Sequence, residues 1–154
     1  MTAEDNVRLA RRIFEEGWSK GNLSVIDELI ATNYIGYDPA QPEPTRGASG
    51  FKESVQGYRT AFPDLTFTVD EAYAIGPDRT VVRWTGRGTH QGPLMGIPAT
   101  GKVGSVGGMT LARFEGGKII EDHTNWDTLG LLRQIGAIPS PQPTTVTENR
   151  PAAH

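Results

Sequence analysis

Tyr58-Arg-Thr-Ala-Phe62-Pro63-Asp64-Leu65-Thr-Phe67-Thr-Val69-Asp70 is where this chain changes its period. Upstream, Phe51, Val55, Tyr58 and Phe62 recur at spacings of three and four, which predicts a helix over about Ala48 to Ala61 that Pro63 ends. Downstream, Leu65, Phe67, Val69 and Tyr73 share one parity, and Thr66, Thr68 and Asp70 share the other. That is the period of two of a half-buried strand. Before this switch the chain reads as helix, and after it as strand.

Toward the N-terminus, Thr2 is a candidate N-cap with Asp5 as its box-like partner. Val7, Ala10, Ile13, Phe14 and Trp18 form one helical stripe, closed by Lys20-Gly21-Asn22. A shorter helix follows with Val25, Ile26, Leu29 and Ile30 inward, and residues 36–47, with three prolines and two glycines, read as a loop. Toward the C-terminus, Gly76-Pro77-Asp78 is a turn and Thr80 to Thr85 starts a second strand that runs on toward Thr89 and His90. A Gly/Pro-punctuated loop reaches Gly101. Val103 to Phe114 and Ile119 to Trp126 make a hairpin about Glu115-Gly-Gly-Lys118, and Thr128 to Ile135 a last short helix. Residues 1–138 are expected to form the domain. Pro139 to His154, rich in Pro, Thr and Ala, is expected to be a flexible tail.

Helices followed by hairpin-linked strands give α+β: a curved antiparallel sheet wrapped around N-terminal helices, enclosing a pocket for a small molecule. With 154 residues, 36% of them hydrophobic, there is material for one modest core. A net charge of −3 offers no basic field for nucleic acid or an anionic membrane. No cysteine means no thiolate metal site and no thiol nucleophile. No apolar run approaches the ~20 residues of a membrane span, and the N-terminus lacks the pattern of a signal peptide. A cytoplasmic location is the expectation.

Few side chains are left for chemistry. Gly96 to Lys102 fits the frame of a phosphate-binding loop by accident, because Val103 stands where Ser or Thr is needed and a strand follows where a helix should. Asn22-Leu23-Ser24 is a glycosylation sequon without a secretory context. Asp122, His123 and Asp127 do not converge as metal ligands, since neighbouring strand residues face opposite ways, so no metal is expected. His154 belongs to the tail. On the 119–126 strand, Glu121, His123, Asn125 and Asp127 share one face, and Ile120, Asp122, Thr124 and Trp126 the other. Ile119 and Ile120 point both ways, so periodicity leaves open which face is interior. An inward odd face would line a cavity with an imidazole, an amide and a carboxylate, the parts of an acid–base site. Otherwise His123 is a structural histidine and Asp127 caps the last helix. Trp18, Tyr34, Tyr37, Phe51, Tyr58, Phe62 and Trp84 are either an aromatic wall for a flat ligand or ordinary core, with Tyr37 at a loop mouth.

Several segments together resemble one family. They are Gly57 to Leu65, Gly88-Thr-His90-Gln-Gly92 on through Lys102, Arg113-Phe114, Gly117 to Glu121, and Asp127-Thr-Leu-Gly130 through Gly136. The chain is similar over about residues 5 to 138 to the SnoaL-like polyketide cyclases. The resemblance implies an NTF2-like α+β cone, commonly a homodimer through the outer face of its sheet, with a pocket that works without metal or coenzyme. Its best-understood members close rings by intramolecular aldol condensation, with an aspartate as general acid–base and a glutamine and a histidine on the preceding strand. As aligned, those positions are Asn125, Gly108 and Thr110 in this chain. If the Asn125 position faces the pocket, His123 and Asp127 share its parity, and these three are the expected catalytic group; Tyr34, Tyr37, Tyr58, Trp84, His90 and Thr110 are expected to bind substrate. The function expected is cofactor-independent acid–base chemistry (cyclisation, isomerisation or hydration) on a polyketide-like or other hydrophobic metabolite. The alternatives are a non-catalytic binder, motivated by Asn125, and an NTF2-like scaffold.

Overall fold

The computed structural model describes residues 1–139; the remainder of the expected tail, with His154, lies outside the described residues. Helix α1 (Ala3–Arg12) starts at a complete capping box in which Thr2 and Asp5 bond each other's backbone N–H. It continues as a π-helical segment over Ile13–Trp18, whose wider turn carries Phe14 and Trp18 toward the sheet. Arg59 ties off this end by donating to the carbonyls of Trp18, Ser19 and Leu65. Then follow α2 (Leu23–Leu29), β1 (Ile30–Tyr37), β2 (Thr45–Arg46), α3 (Gly47–Ala61), β3 (Thr66–Ile75), β4 (Arg79–Thr89), β5 (Val103–Glu115), β6 (Lys118–Trp126) and α4 (Thr128–Gln134).

The six strands lie in the order β2-β1-β6-β5-β4-β3. This corrects the expected architecture. The sheet is mixed, because β1 runs parallel to β6, and it is open, with β2 and β3 as its edges. It is neither closed nor strongly curled, so it does not wrap the helices to enclose a pocket. The mixed order follows from the parallel pair. Parallel neighbours need a long crossover, and here it carries β2, α3, β3, β4 and β5 between β1 and β6. The core instead lies between two layers, the helices and one face of the sheet, with Ile13, Phe14, Ile26, Val55, Val82 and Ile119 at its centre.

Strand β1 went unread in the sequence, where Ile30 counts as helix and Gly36 and Tyr37 as loop. Its inward residues are Ile30, Ala31, Tyr34 and Gly36, and its register on β6 breaks between Ile30 and Ile35, so no clean alternation marks it. The inner sheet face is rich in glycine because rings lie flat on it. A Cβ at Gly88 would meet Phe62 at 2.8 Å, and one at Gly108 would meet Trp84 and Trp126.

Candidate active site

Three rungs of the sheet form the floor of a cavity. Gly36, Asp122, Ala112 and Thr80 stand side by side across β1, β6, β5 and β4. Next come Thr124, Thr110 and Val82, then Trp126, Gly108 and Trp84. The even-numbered face of β6 is thus the inner one. Ile119 also faces inward because the pairing with β5 slips between Arg113–Glu121 and Phe114–Ile119, leaving Ile120 as an extra residue. That bulge resets the alternation.

Asp122 is 8% exposed, a buried carboxylate in a chamber walled mainly by aromatic and aliphatic side chains. The Tyr34 hydroxyl donates to its Oδ1 at 2.8 Å. Burial lifts the Asp122 carboxyl to about 7, against the opposing pull of that hydrogen bond and of His123. Burial, and then the charge of Asp122, push the Tyr34 phenol above its ordinary range, so it stays a donor. Gly36 makes the pair possible. A Cβ there would lie against the Tyr34 hydroxyl, 2.6 Å from its Cζ and 2.9 Å from Asp122 Oδ1.

Beside the acid, Trp84 Nε1 donates to Thr110 Oγ1 at 3.1 Å, and Thr110 Oγ1 lies 2.9 Å from Thr124 Oγ1. The walls are aromatic: Phe67 sits edge-on to Trp84 at 4.9 Å and to Trp18 at 5.4 Å, and Tyr34 edge-on to Phe51 at 5.5 Å. At the mouth, Gln41 Nε2 donates to the Tyr58 hydroxyl at 3.3 Å, and Trp126 Nε1 donates to Asp38 at 2.9 Å. Burial, and then the charge of Asp38, lift Tyr58 to about 12. The chamber measures about 130 Å³, room for roughly one ring. A wider outer groove of about 690 Å³ adjoins it, sharing Gln41, Thr45, Ser54 and Tyr58.

Of the residues expected at the site, Tyr34, Tyr58, Trp84 and Thr110 line this chamber, and Tyr37 borders it. The others are elsewhere. His123 and Asn125 point to the opposite, exposed face of the sheet, since the odd-numbered face of β6 is the outer one. His123 stacks on Tyr37 at 4.7 Å and bonds Glu121 at 2.9 Å. Asp127 is the N-cap of α4, accepting from Gly130 N–H at 2.8 Å, and does not touch His123. His90 is fully buried outside the chamber. It accepts from the Thr100 N–H at Nδ1 and joins the two ends of the 90–101 loop through its backbone. Asp122, Thr124, Trp126 and Asp38 are the cavity residues that sequence reasoning missed. Their shared parity on β6 was visible in the first three, but its direction was not.

Among the described residues, no three His, Asp or Glu side chains gather as a metal site, and no helix is long and apolar enough to cross a membrane. The family model of the SnoaL-like polyketide cyclases matches residues 8–135. The chain belongs to this family. Two similar proteins are the aklanonic acid methyl ester cyclases DauD of Streptomyces sp. (strain C5) and DnrD of Streptomyces peucetius. Each is 31% identical over 139 residues, or 89% of this chain and 84% and 94% of theirs. Among solved structures, TsrD from Streptomyces laurentii superposes with a TM-score of 0.77 at 30% identity, covering 86% of this chain and 96% of that one. The two chains thus share a fold.

Proposed function

We propose that this SnoaL-like protein is an enzyme that closes a ring in a small polyketide-like ester, with Asp122 as its general acid–base. One observation carries this: a buried carboxylate, held by Tyr34 and tuned to about 7, faces an apolar chamber. Such a group takes and returns a proton near neutral pH. In the proposed cycle, ionised Asp122 removes a proton from a carbon flanked by carbonyls. The enolate carbon attacks a second carbonyl of the same molecule, a C–C bond forms, and Asp122-H returns its proton to the new alkoxide. No atom is gained or lost. The reacting end fits the inner chamber and the rest of a larger substrate the adjoining groove. The non-catalytic alternative was motivated by the amide at Asn125, which lies on the outer face, and by Gly108 and Thr110 in place of a glutamine and a histidine; the buried Asp122 favours the enzyme over it.

The names of DauD and DnrD supply the probe, aklanonic acid methyl ester. Conversion to an isomer of unchanged mass, seen by chromatography and mass spectrometry, is expected with the wild type and lost in Asp122→Asn. Equal turnover by the two would reject Asp122 as the proton carrier.

We also infer that two copies pair through the outer sheet face. An apolar row, Tyr73–Val81–Leu111, crosses it, flanked by the ion pairs Arg83–Glu71 and Arg113–Glu121. Such a patch with mixed charge at its rim suits a self-complementary two-fold contact.

A further inference from the structure

Trp84, Thr110 and Thr124 form a polar chain inside an aromatic chamber, and counting hydrogens shows that it is incomplete. The indole N–H can only donate, and each hydroxyl carries one hydrogen and can accept. The trio holds three hydrogens but makes two internal bonds, Trp84 to Thr110 at 3.1 Å and Thr110 with Thr124 at 2.9 Å. Among the described residues neither hydroxyl has another partner, so one O–H remains unused whichever way the threonine pair is oriented. With Trp84 feeding Thr110 and Thr110 feeding Thr124, that hydrogen belongs to Thr124. Thr124 is the less buried of the two threonines and stands one rung from Asp122 on the same face of β6, about 7 Å along the strand.

We propose that the Thr124 hydroxyl, polarised by Thr110 and Trp84, is an oxyanion-binding site for the carbonyl oxygen of a ketone or ester as it becomes an enolate. A donor aimed where charge develops, in a chamber without water's screening, stabilises that charge most. Resting on the acid–base role of Asp122, the site specifies the other half of the reaction. Asp122 takes the proton from carbon, and Thr124 holds the negative oxygen.

The test reads the anion directly. 4-Nitrophenol, whose visible absorption reports its ionised form, is titrated into Asp122→Asn protein, which lacks the competing carboxylate. Binding of the phenolate is expected to weaken roughly 10- to 100-fold when Thr124→Val is added. It should return with Thr124→Ser, and weaken by a smaller factor with Thr110→Val. Circular dichroism confirms that each variant is folded. In the wild-type background, Thr124→Val should lower kcat with little change in KM. Phenolate affinity unmoved by Thr124→Val, or no phenolate binding by the Asp122→Asn protein, overturns the proposal. No turnover of the ester by the wild type, with the phenolate effects intact, would reject the substrate of the proposed function and still support the oxyanion site.

Discussion

Asp122→Asn should make the protein more stable as it makes it inactive, and the gain should grow with pH. The carboxyl titrates near 3.9 in an unfolded chain and at about 7 in the folded one. Below about pH 4 both states hold the proton, and burial costs the charge nothing. Between about 4 and 7 the unfolded chain releases its proton while the folded one keeps it, so stability falls as pH rises. Above about 7 the folded carboxyl is ionised too, and the loss levels off. About three pKa units at ~1.4 kcal/mol each set an upper bound of about 4 kcal/mol on this loss. Asparagine has the same shape, still accepts from Tyr34, and never charges. The groups that bear on Asp122, namely Tyr34, His123, Asp38 and Glu121, are unchanged in the variant. Urea unfolding of both proteins from pH 4 to 9 measures the difference. The variant's advantage should rise across this range by up to about 4 kcal/mol and flatten above pH 8. A constant offset from burying the amide leaves that slope untouched. Parallel curves over the whole range would mean that Asp122 ionises as it does in water, and the poised acid–base would be lost with it.

Gly36→Ala places a methyl against both members of the Tyr34–Asp122 pair. The phenol oxygen must retreat by more than about 1 Å to restore ordinary contact, past hydrogen-bonding length, so turnover should collapse and stability fall by about 1–3 kcal/mol; a fully active alanine variant would remove Tyr34 from the mechanism. Leu111→Arg puts a charge at one end of the outer apolar row, on the exposed side of β5, and should yield monomers in analytical ultracentrifugation, whereas an intact dimer would place the interface elsewhere. His90→Ala should cost about 2–4 kcal/mol in thermal or urea unfolding, through the cavity left beside Phe62 and the loosened 90–101 loop, yet leave KM unchanged because His90 does not line the chamber. A raised KM with normal stability would return it to the binding site.

Much of the fold was legible because its local signals are strong. The capping box at Thr2 and Asp5, Pro63 between two periods, and the glycine turn between β5 and β6 each act over a few residues. Strand β1 escaped because an irregular register erased its alternation, and with it went the parallel pairing that makes the sheet mixed. Within the site, Tyr34, Tyr58, Trp84 and Thr110 were found as candidates by their chemistry. His123 and Asn125 share one face of β6, as parity grouped them, and that face is the outer one; Asp127 lies past the strand as the cap of α4, the alternative the sequence had left open.

By itself the sequence determined most of the element types, the family and the inventory of groups able to do chemistry: no thiols, three histidines and 18 carboxylates. Those depend on local propensity and on residue identity. Only the tertiary structure decided which carboxylate counts. Alternation divides a strand into two faces without saying which is inside, and the extra residue at Ile120 breaks the count from the apolar end of β6. What places Asp122 in the chamber is its position between Ala112, its partner in the β5–β6 hairpin, and Gly36, a small residue brought in from far back in the sequence on β1. A phenol from β1 completes it across 88 residues of chain. Burial is a property of the assembled layers, and it turns an ordinary aspartate into one that holds a proton near neutral pH.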